Sequence, residues 1–158
     1  MAAKRIFSIY SKSSGLEITP ETKVNSGKVQ SEGRVQLRFF LLKAPGANGE
    51  KATQIKFVCE PWEAHDLAMR MLQVHASTTA TKEKLIHKFQ QGETEIVTTL
   101  TIEKWSRDGK SGLGLAVGRG DSFVSVPIGK DSVSRFVFAA DFLKFLANNQ
   151  CWIDKEAA

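Results

Sequence analysis

Arg34-Val35-Gln36-Leu37-Arg38-Phe39-Phe40-Leu41-Leu42-Lys43 is the stretch that decides how the rest of the chain is read. Val35, Leu37, Phe39 and Leu41 recur at every second position, so they share one face, while Arg34, Gln36 and Arg38 share the other with Phe40 and Leu42. That alternation is the period of a half-buried strand. One face is apolar enough for a core; the opposite face is basic and aromatic. Downstream, residues 44–52 carry Pro45, Gly46 and the Asn48-Gly49 turn pair, and connect to a strand at 53–59 whose inward set is Ile55, Phe57 and Cys59. Lys56 points the other way. Pro61 suits the first turn of a helix, where a missing N–H costs nothing, and Leu67, Met71 and Val74 follow at helical spacing. Upstream, Ile6, Phe7 and Ile9 predict a short strand and residues 16–19 another. Residues 21–33 are poor in apolar side chains and read as a solvated loop, the least ordered internal region.

The second half repeats the pattern. Lys82, Lys84 and Lys88 alternate with Leu85 and Phe89, with Ile86 interrupting the polar side, and predict a strand over 82–90. β-Branched residues at 95–105, the small-residue stretch 113–117 and residues 123–128 predict three more, before a final helix for which Asp131 or Ser132 is the candidate N-cap. Strands followed by one helix thus occur twice, most clearly over 34–75 and 96–148. The expected fold class is α+β: two strand-strand-strand-strand-helix repeats, over about 6–75 and 82–149, forming packed antiparallel sheets with helices at the core. The 158 residues fit one domain better than two, so both halves should share that core.

The final helix is apolar on two sides. Val133, Phe136, Val137, Ala140, Leu143 and Ala147 form one stripe, and Phe138, Phe142, Phe145 and Leu146 cluster roughly opposite. A helix of this kind does not lie on a sheet with its back in water. Phe138, Phe142 and Phe145 are therefore the candidates for a helix clasp or for a homo-oligomer interface.

Apolar residues at 42% and charged residues at 25% are ordinary for a globular chain. Twenty-two Lys and Arg against 17 Asp and Glu leave a formal charge of +5, which favours polyanionic partners. With Cys59 and Cys151 the only cysteines, no disulfide framework is expected, and an intracellular setting follows. No apolar run resembles a signal peptide or a membrane span, so no membrane association is expected.

Motif by motif, chemistry recedes. Asp108-Gly109-Lys110-Ser111 matches the end of a phosphate-binding loop, but Lys104 stands where the upstream glycine is required and a strand follows, so a hairpin turn is the better reading. Arg119-Gly120-Asp121 reads as a turn. His65, His75 and His87 lack metal-ligand spacing, Cys59 sits in an alternating strand where a thiol is inert, and Glu93 and Glu95 have no general-acid partner. The expectation is a non-catalytic protein with no cofactor and no metal. What remains is the strand faces: Arg34, Gln36, Arg38, Phe40 and Lys56, with Lys84 and Lys88 in the second half, supply cations for phosphates and a ring on which a base stacks. Those are the candidate nucleic-acid-binding residues, with a single strand of DNA or RNA as the expected partner. A protein-interaction domain that uses the final helix is the reading from another class.

The repeated order resembles the Whirly family of single-stranded DNA-binding proteins and, more distantly, positive cofactor four, the PUR proteins and the kinetoplast guide-RNA-binding proteins. Gly33-Arg34-Val35-Gln36-Leu37-Arg38-Phe39 is similar to the glycine-led strand of Whirly proteins. Phe123-Val124-Ser125-Val126-Pro127-Ile128-Gly129 is similar to their last strand, whose valine-proline step leads to a C-terminal helix, here ending near Cys151-Trp152. The family's lysine-glycine-lysine-alanine signature is not reproduced; Gly27-Lys28-Val29 is a fragment of it. The resemblance implies two four-stranded sheets with clasped helices, binding across strand edges and faces with little sequence dependence, and roles in DNA replication, recombination, repair or transcription, or in RNA annealing.

Overall fold

The computed structural model describes residues 6–25, 30–42, 53–129 and 132–155. Strands β1 (Phe7–Tyr10), β2 (Ser14–Asn25), β3 (Gln30–Leu41) and β4 (Gln54–Cys59) form an antiparallel meander that runs into helix α1 (Pro61–Ala76). Strands β5 (Thr81–Gln91), β6 (Thr94–Arg107), β7 (Lys110–Arg119) and β8 (Ser122–Ile128) form a second meander that runs into α2 (Val133–Asn149). A last short strand, β9 (Ile153–Lys155), returns to pair antiparallel with the start of β3. The architecture is therefore α+β, with the strand-strand-strand-strand-helix unit used twice.

Alternation places the core. Val35, Leu37 and Phe39 of β3 lie beside Leu16 and Ile18 of β2 and beside Ile55, Phe57 and Cys59 of β4, all buried. The second sheet contributes Leu100, Ile102, Leu115, Val117, Val124 and Val126 among others, and both helices add their buried stripes to the same continuous cluster. Each fully buried Leu, Ile or Phe contributes about 1.5–3 kcal/mol relative to an exposed one. Polar ties then set how the layers meet. Ser14 Oγ donates to Ser125 O at 2.6 Å, joining β2 to β8. The His87 ring stacks on Phe57 at 3.9 Å and bonds Glu63 at 2.7 Å, joining β5 to β4 and α1. Lys104 Nζ donates to His75 O at 3.1 Å, meeting the negative end of α1 with a cation.

The turns follow local chemistry. Asp108 and Gly109 have φ of 51° and 76°, consecutive positive values that match a two-residue hairpin turn between β6 and β7. The phosphate-loop fragment is thus a turn. Pro61 is in the first turn of α1, with Glu60 at the N-cap.

The structure corrects several expectations. The solvated loop expected over 21–33 is largely strand: β2 continues to Asn25, β3 begins at Gln30, and Lys23 pairs with Glu32 and Val24 with Ser31. Both faces are polar there because the hairpin runs beyond the core, so backbone pairing rather than apolar alternation keeps it extended. The strand expected over 16–19 is the middle of twelve-residue β2, and β9 was not foreseen. Phe89, expected inward with Leu85, is 45% exposed. Ser132 makes no side-chain capping bond; Asp131, the Asn48-Gly49 turn and Gly27-Lys28-Val29 lie outside the described residues. In α2, Phe136, Ala139, Ala140, Leu143, Leu146 and Ala147 are buried and α1 packs against the helix, whereas Phe138 and Phe145 are exposed and Phe142 is half-buried. The clasp is thus made by the first stripe and Leu146. Phe7 covers part of the second cluster, at 5.0 Å from Phe138 and 5.9 Å from Phe142. No described helix is long and apolar enough to cross a membrane.

Candidate nucleic-acid interface

Each sheet turns one face to the core and the other outward. On the first sheet, register places Arg38 of β3 between Glu17 of β2 and Lys56 of β4, Gln36 between Thr19 and Val58, and Phe40 between Gly15 and Gln54. Arg34, Gln36, Arg38, Phe40 and Lys56 are therefore brought together on one surface. Lys84 and Lys88 are not part of it: they lie on β5, on the outward face of the second sheet.

The charges of the first surface are largely answered from within the chain. Arg34 is only 11% exposed, donates to Glu32 Oε1 and to Gly33 O at 2.9 Å each, and lies 3.7 Å from Glu60. Arg38 donates to Glu17 Oε2 at 3.2 Å and to Gln54 Oε1 at 3.0 Å. Phe40 is fixed between neighbours: a Cβ on Gly15 would lie 2.4 Å from its ring, Tyr10 meets it edge-on at 5.9 Å, and the Arg38 guanidinium lies 4.5 Å from its centroid. The face that reads as basic in one strand is thus an aromatic and ion-paired surface once its neighbours are in register. Tyr10, 55% exposed, adds a second ring that strand β3 alone could not reveal.

The second sheet's outward face is built differently. Lys82, Lys84, Ile86 and Lys88 are exposed along the edge strand β5. Two strands away, β7 turns Gly112, Gly114, Ala116 and Gly118 outward, so its middle carries almost no side-chain bulk. Rings border that trough: Trp105 lies against Gly112, where a Cβ would come within 2.4 Å of the indole, and Phe123, 61% exposed, faces Gly118 across the β7–β8 ladder. On the opposite face of β7, which carries buried Leu113, Leu115 and Val117, Arg119 donates to Thr98 Oγ1 at 2.8 Å and to Lys56 O at 2.9 Å, tying the second sheet to β4 of the first. Trp105, Phe123 and Arg119 are not among the candidate site residues that the sequence singles out. The alternation Gly112-Leu113-Gly114-Leu115-Ala116-Val117-Gly118 was the available signal, because small residues at every second position mean a face kept deliberately low.

Burial, and then the neighbouring Glu63 carboxylate, hold the Cys59 thiol well above its ordinary pKa, so it stays protonated and a poor nucleophile. Among the described residues no three His, Cys, Asp or Glu side chains gather as a metal-type cluster.

An antiparallel α+β structure with two outward sheet faces and clasped helices is a Whirly-like fold. The crystal structure of WHY1 from Arabidopsis thaliana matches it with a TM-score of 0.60 over 96% of this chain and 87% of that chain, at 15% sequence identity. No family model matches the sequence, and no curated protein matches it. The likeness is one of fold, and function has to be argued from the surface itself.

Proposed function

We propose that this chain binds single-stranded nucleic acid, DNA in the first instance, with little dependence on sequence. The carrying observation is the second sheet's outward face, where exposed Lys84 and Lys88 on the edge strand β5 lie across β6 from a low trough on β7 that is flanked by Trp105 and Phe123. Lysines track phosphates as point charges, and an exposed ring such as Phe123 stacks any base, at roughly 1–3 kcal/mol per base, with half-buried Trp105 flanking it. The first sheet offers a second outward surface with Lys56, Phe40 and Tyr10. A homo-oligomer would line up several such faces and so protect and organise unwound DNA during replication, recombination or repair. Its interface would use the exposed Phe138 and Phe145. The Whirly-like fold supports this reading, which requires no catalysis, cofactor or metal.

Anisotropy titration of a labelled oligo-dT, an RNA of equal length and the matching duplex, at two salt concentrations, tests the proposal. Single strands should bind more tightly than duplex, and affinity should fall as salt rises. Equal affinity for duplex, or no binding at low salt, refutes it; tighter binding to RNA reassigns the chain to RNA binding or annealing.

A further inference from the structure

A cavity of about 360 Å³ opens where α1 begins and the segment after α2 crosses β3, lined by Glu32, Arg34, Glu60, Trp62 and Trp152 among others. It continues the outward face of the first sheet, since Glu60 directly follows β4 and Arg34 stands two residues before Gln36 on β3. Trp62 is 65% exposed and Trp152 36% exposed. Both indole N–H groups are already used, Trp62 donating to Glu60 Oε2 at 2.5 Å and Trp152 to Gln150 Oε1 at 3.2 Å. Each ring is thereby pinned and left with a face, rather than a donor, to offer. The crossing segment is itself fixed, because Gln150 Nε2 donates to Glu21 O at 2.7 Å and to Arg34 O at 2.9 Å.

We infer that this cavity receives one nucleobase of the bound single strand and favours bases that carry an exocyclic amino group, cytosine above uracil or thymine. The inference rests on the single-strand reading above and adds a base preference to it. A pinned indole face binds a planar base by stacking. The charges say which part of the nucleotide enters: Glu32 and Glu60 outnumber Arg34, which is already bonded to Glu32, so a phosphate is disfavoured and the sugar-phosphate stays outside. Among the described residues Glu60 Oε1 meets the 3.7 Å approach of Arg34 and keeps lone pairs for an amino donor. A carboxylate accepts from the N4 amino group of cytosine, whereas uracil presents an oxygen there and is repelled. A cationic side chain from a protein partner fits less well, since Arg34 already stands beside both carboxylates.

The test uses oligo-dT carrying one central dC or one central dU, with Trp105 kept in the full-length chain for every affinity and Trp105→Phe for fluorescence alone, where Trp62 and Trp152 are the remaining indoles. The dC oligomer should bind about fivefold more tightly than the dU oligomer and quench the remaining indole fluorescence. Glu60→Gln, whose amide both donates and accepts, should abolish the preference by relieving the repulsion of thymine and uracil, so that the dC and dU oligomers bind alike, and Trp62→Ala, at an exposed position, should remove both preference and most of the quenching. Oligo-dT binding with no dC preference and no response to Trp62→Ala overturns the pocket and leaves the single-strand reading intact. Failure of every oligomer to bind overturns that reading, and the pocket with it. Quenching by a trimethyl-lysine peptide but by no oligomer assigns the cavity to a protein partner and likewise overturns the inference.

Discussion

Gly33→Ala offers the sharpest check on how the C-terminal segment is held. A Cβ at residue 33 would stand 2.1 Å from Gln150 O and 2.8 and 2.9 Å from Gln150 C and Cα. A carbon meets a carbonyl oxygen at about 3.3 Å at closest. The segment therefore has to retreat by more than about 1 Å, and the obstacle is backbone, which cannot swing aside as a side-chain tip would. Retreat breaks the Gly33 N–H bond to Trp152 O at 3.0 Å and both Gln150 Nε2 bonds, to Glu21 O and Arg34 O. At about 1 kcal/mol net for each, the loss is near 3 kcal/mol. Against it stands the roughly 0.4–1 kcal/mol that alanine gains by restricting the unfolded chain. The expected cost is about 2–3 kcal/mol, a fall of roughly 4–12 °C in Tm for a chain of this size. Urea and thermal unfolding followed by circular dichroism give the stability, and Trp152 should report greater solvent exposure. Gly114→Ala is the control, because its Cβ would lie 3.7 Å from the nearest atom. A Gly33→Ala chain as stable as that control would refute the account of the crossing.

Lys84→Gln with Lys88→Gln should weaken binding to all single strands alike and reduce the log-log salt slope by about 1.4, two contacts at about 0.7 each; an unchanged slope in salt titrations would remove β5 from the interface. Phe142→Asp puts a charge on a half-buried ring against the core and should unfold the chain, while Phe138→Ser, at a site 56% exposed, should change unfolding free energy by less than about 1 kcal/mol. If the homo-oligomer uses this face, light scattering will show a smaller particle for Phe138→Ser. Cys151 is exposed and Cys59 buried, so a thiol reagent should modify one cysteine in the native protein and both after unfolding. Because folding raises the Cys59 pKa above its ordinary 9.0, its contribution is fully present below pH 9.0 and is lost as pH rises towards the folded value. Cys59→Ala should therefore flatten the alkaline limb of the stability curve by up to about 1.4 kcal/mol per pH unit.

Alternation made much of this fold legible. The apolar sets Val35/Leu37/Phe39 and Ile55/Phe57/Cys59 are buried where the pattern put them, and Leu67, Met71 and Val74 face the core from α1. What alternation cannot report is pairing beyond the core. The arms of the β2–β3 hairpin are strands because each N–H and C=O finds its partner across the ladder, a property of two segments together. The candidate site was obscured for a related reason: one strand shows Arg34 and Arg38, but Glu17 becomes Arg38's neighbour only once register is fixed, and Glu32 joins Arg34's face only because β3 begins at Gln30. The cavity gathers residues from β3, the start of α1 and the end of the chain, over a hundred positions apart, so no local motif announces it.

The contrast between arginine and lysine on these faces bears on specificity. Arg34, Arg38 and Arg119 each direct two or more N–H groups at oxygens of this chain, so their forks are spent on holding strands, carboxylates and backbone in place. Lys56, Lys84 and Lys88 make no ion pair among the described residues and stand exposed. An ammonium on a flexible stem follows a phosphate without prescribing its angle, whereas a guanidinium fork imposes one. Away from exposed Arg107 at the end of β6, a surface whose forks are internal and whose open charges are lysines accepts a strand in many registers. Sequence dependence, on this argument, enters where directional groups remain exposed beside a pinned ring. Glu60 and Trp62 at the mouth of the cavity meet that description; the trough of β7, bare of polar side chains at Gly112, Gly114, Ala116 and Gly118, does not.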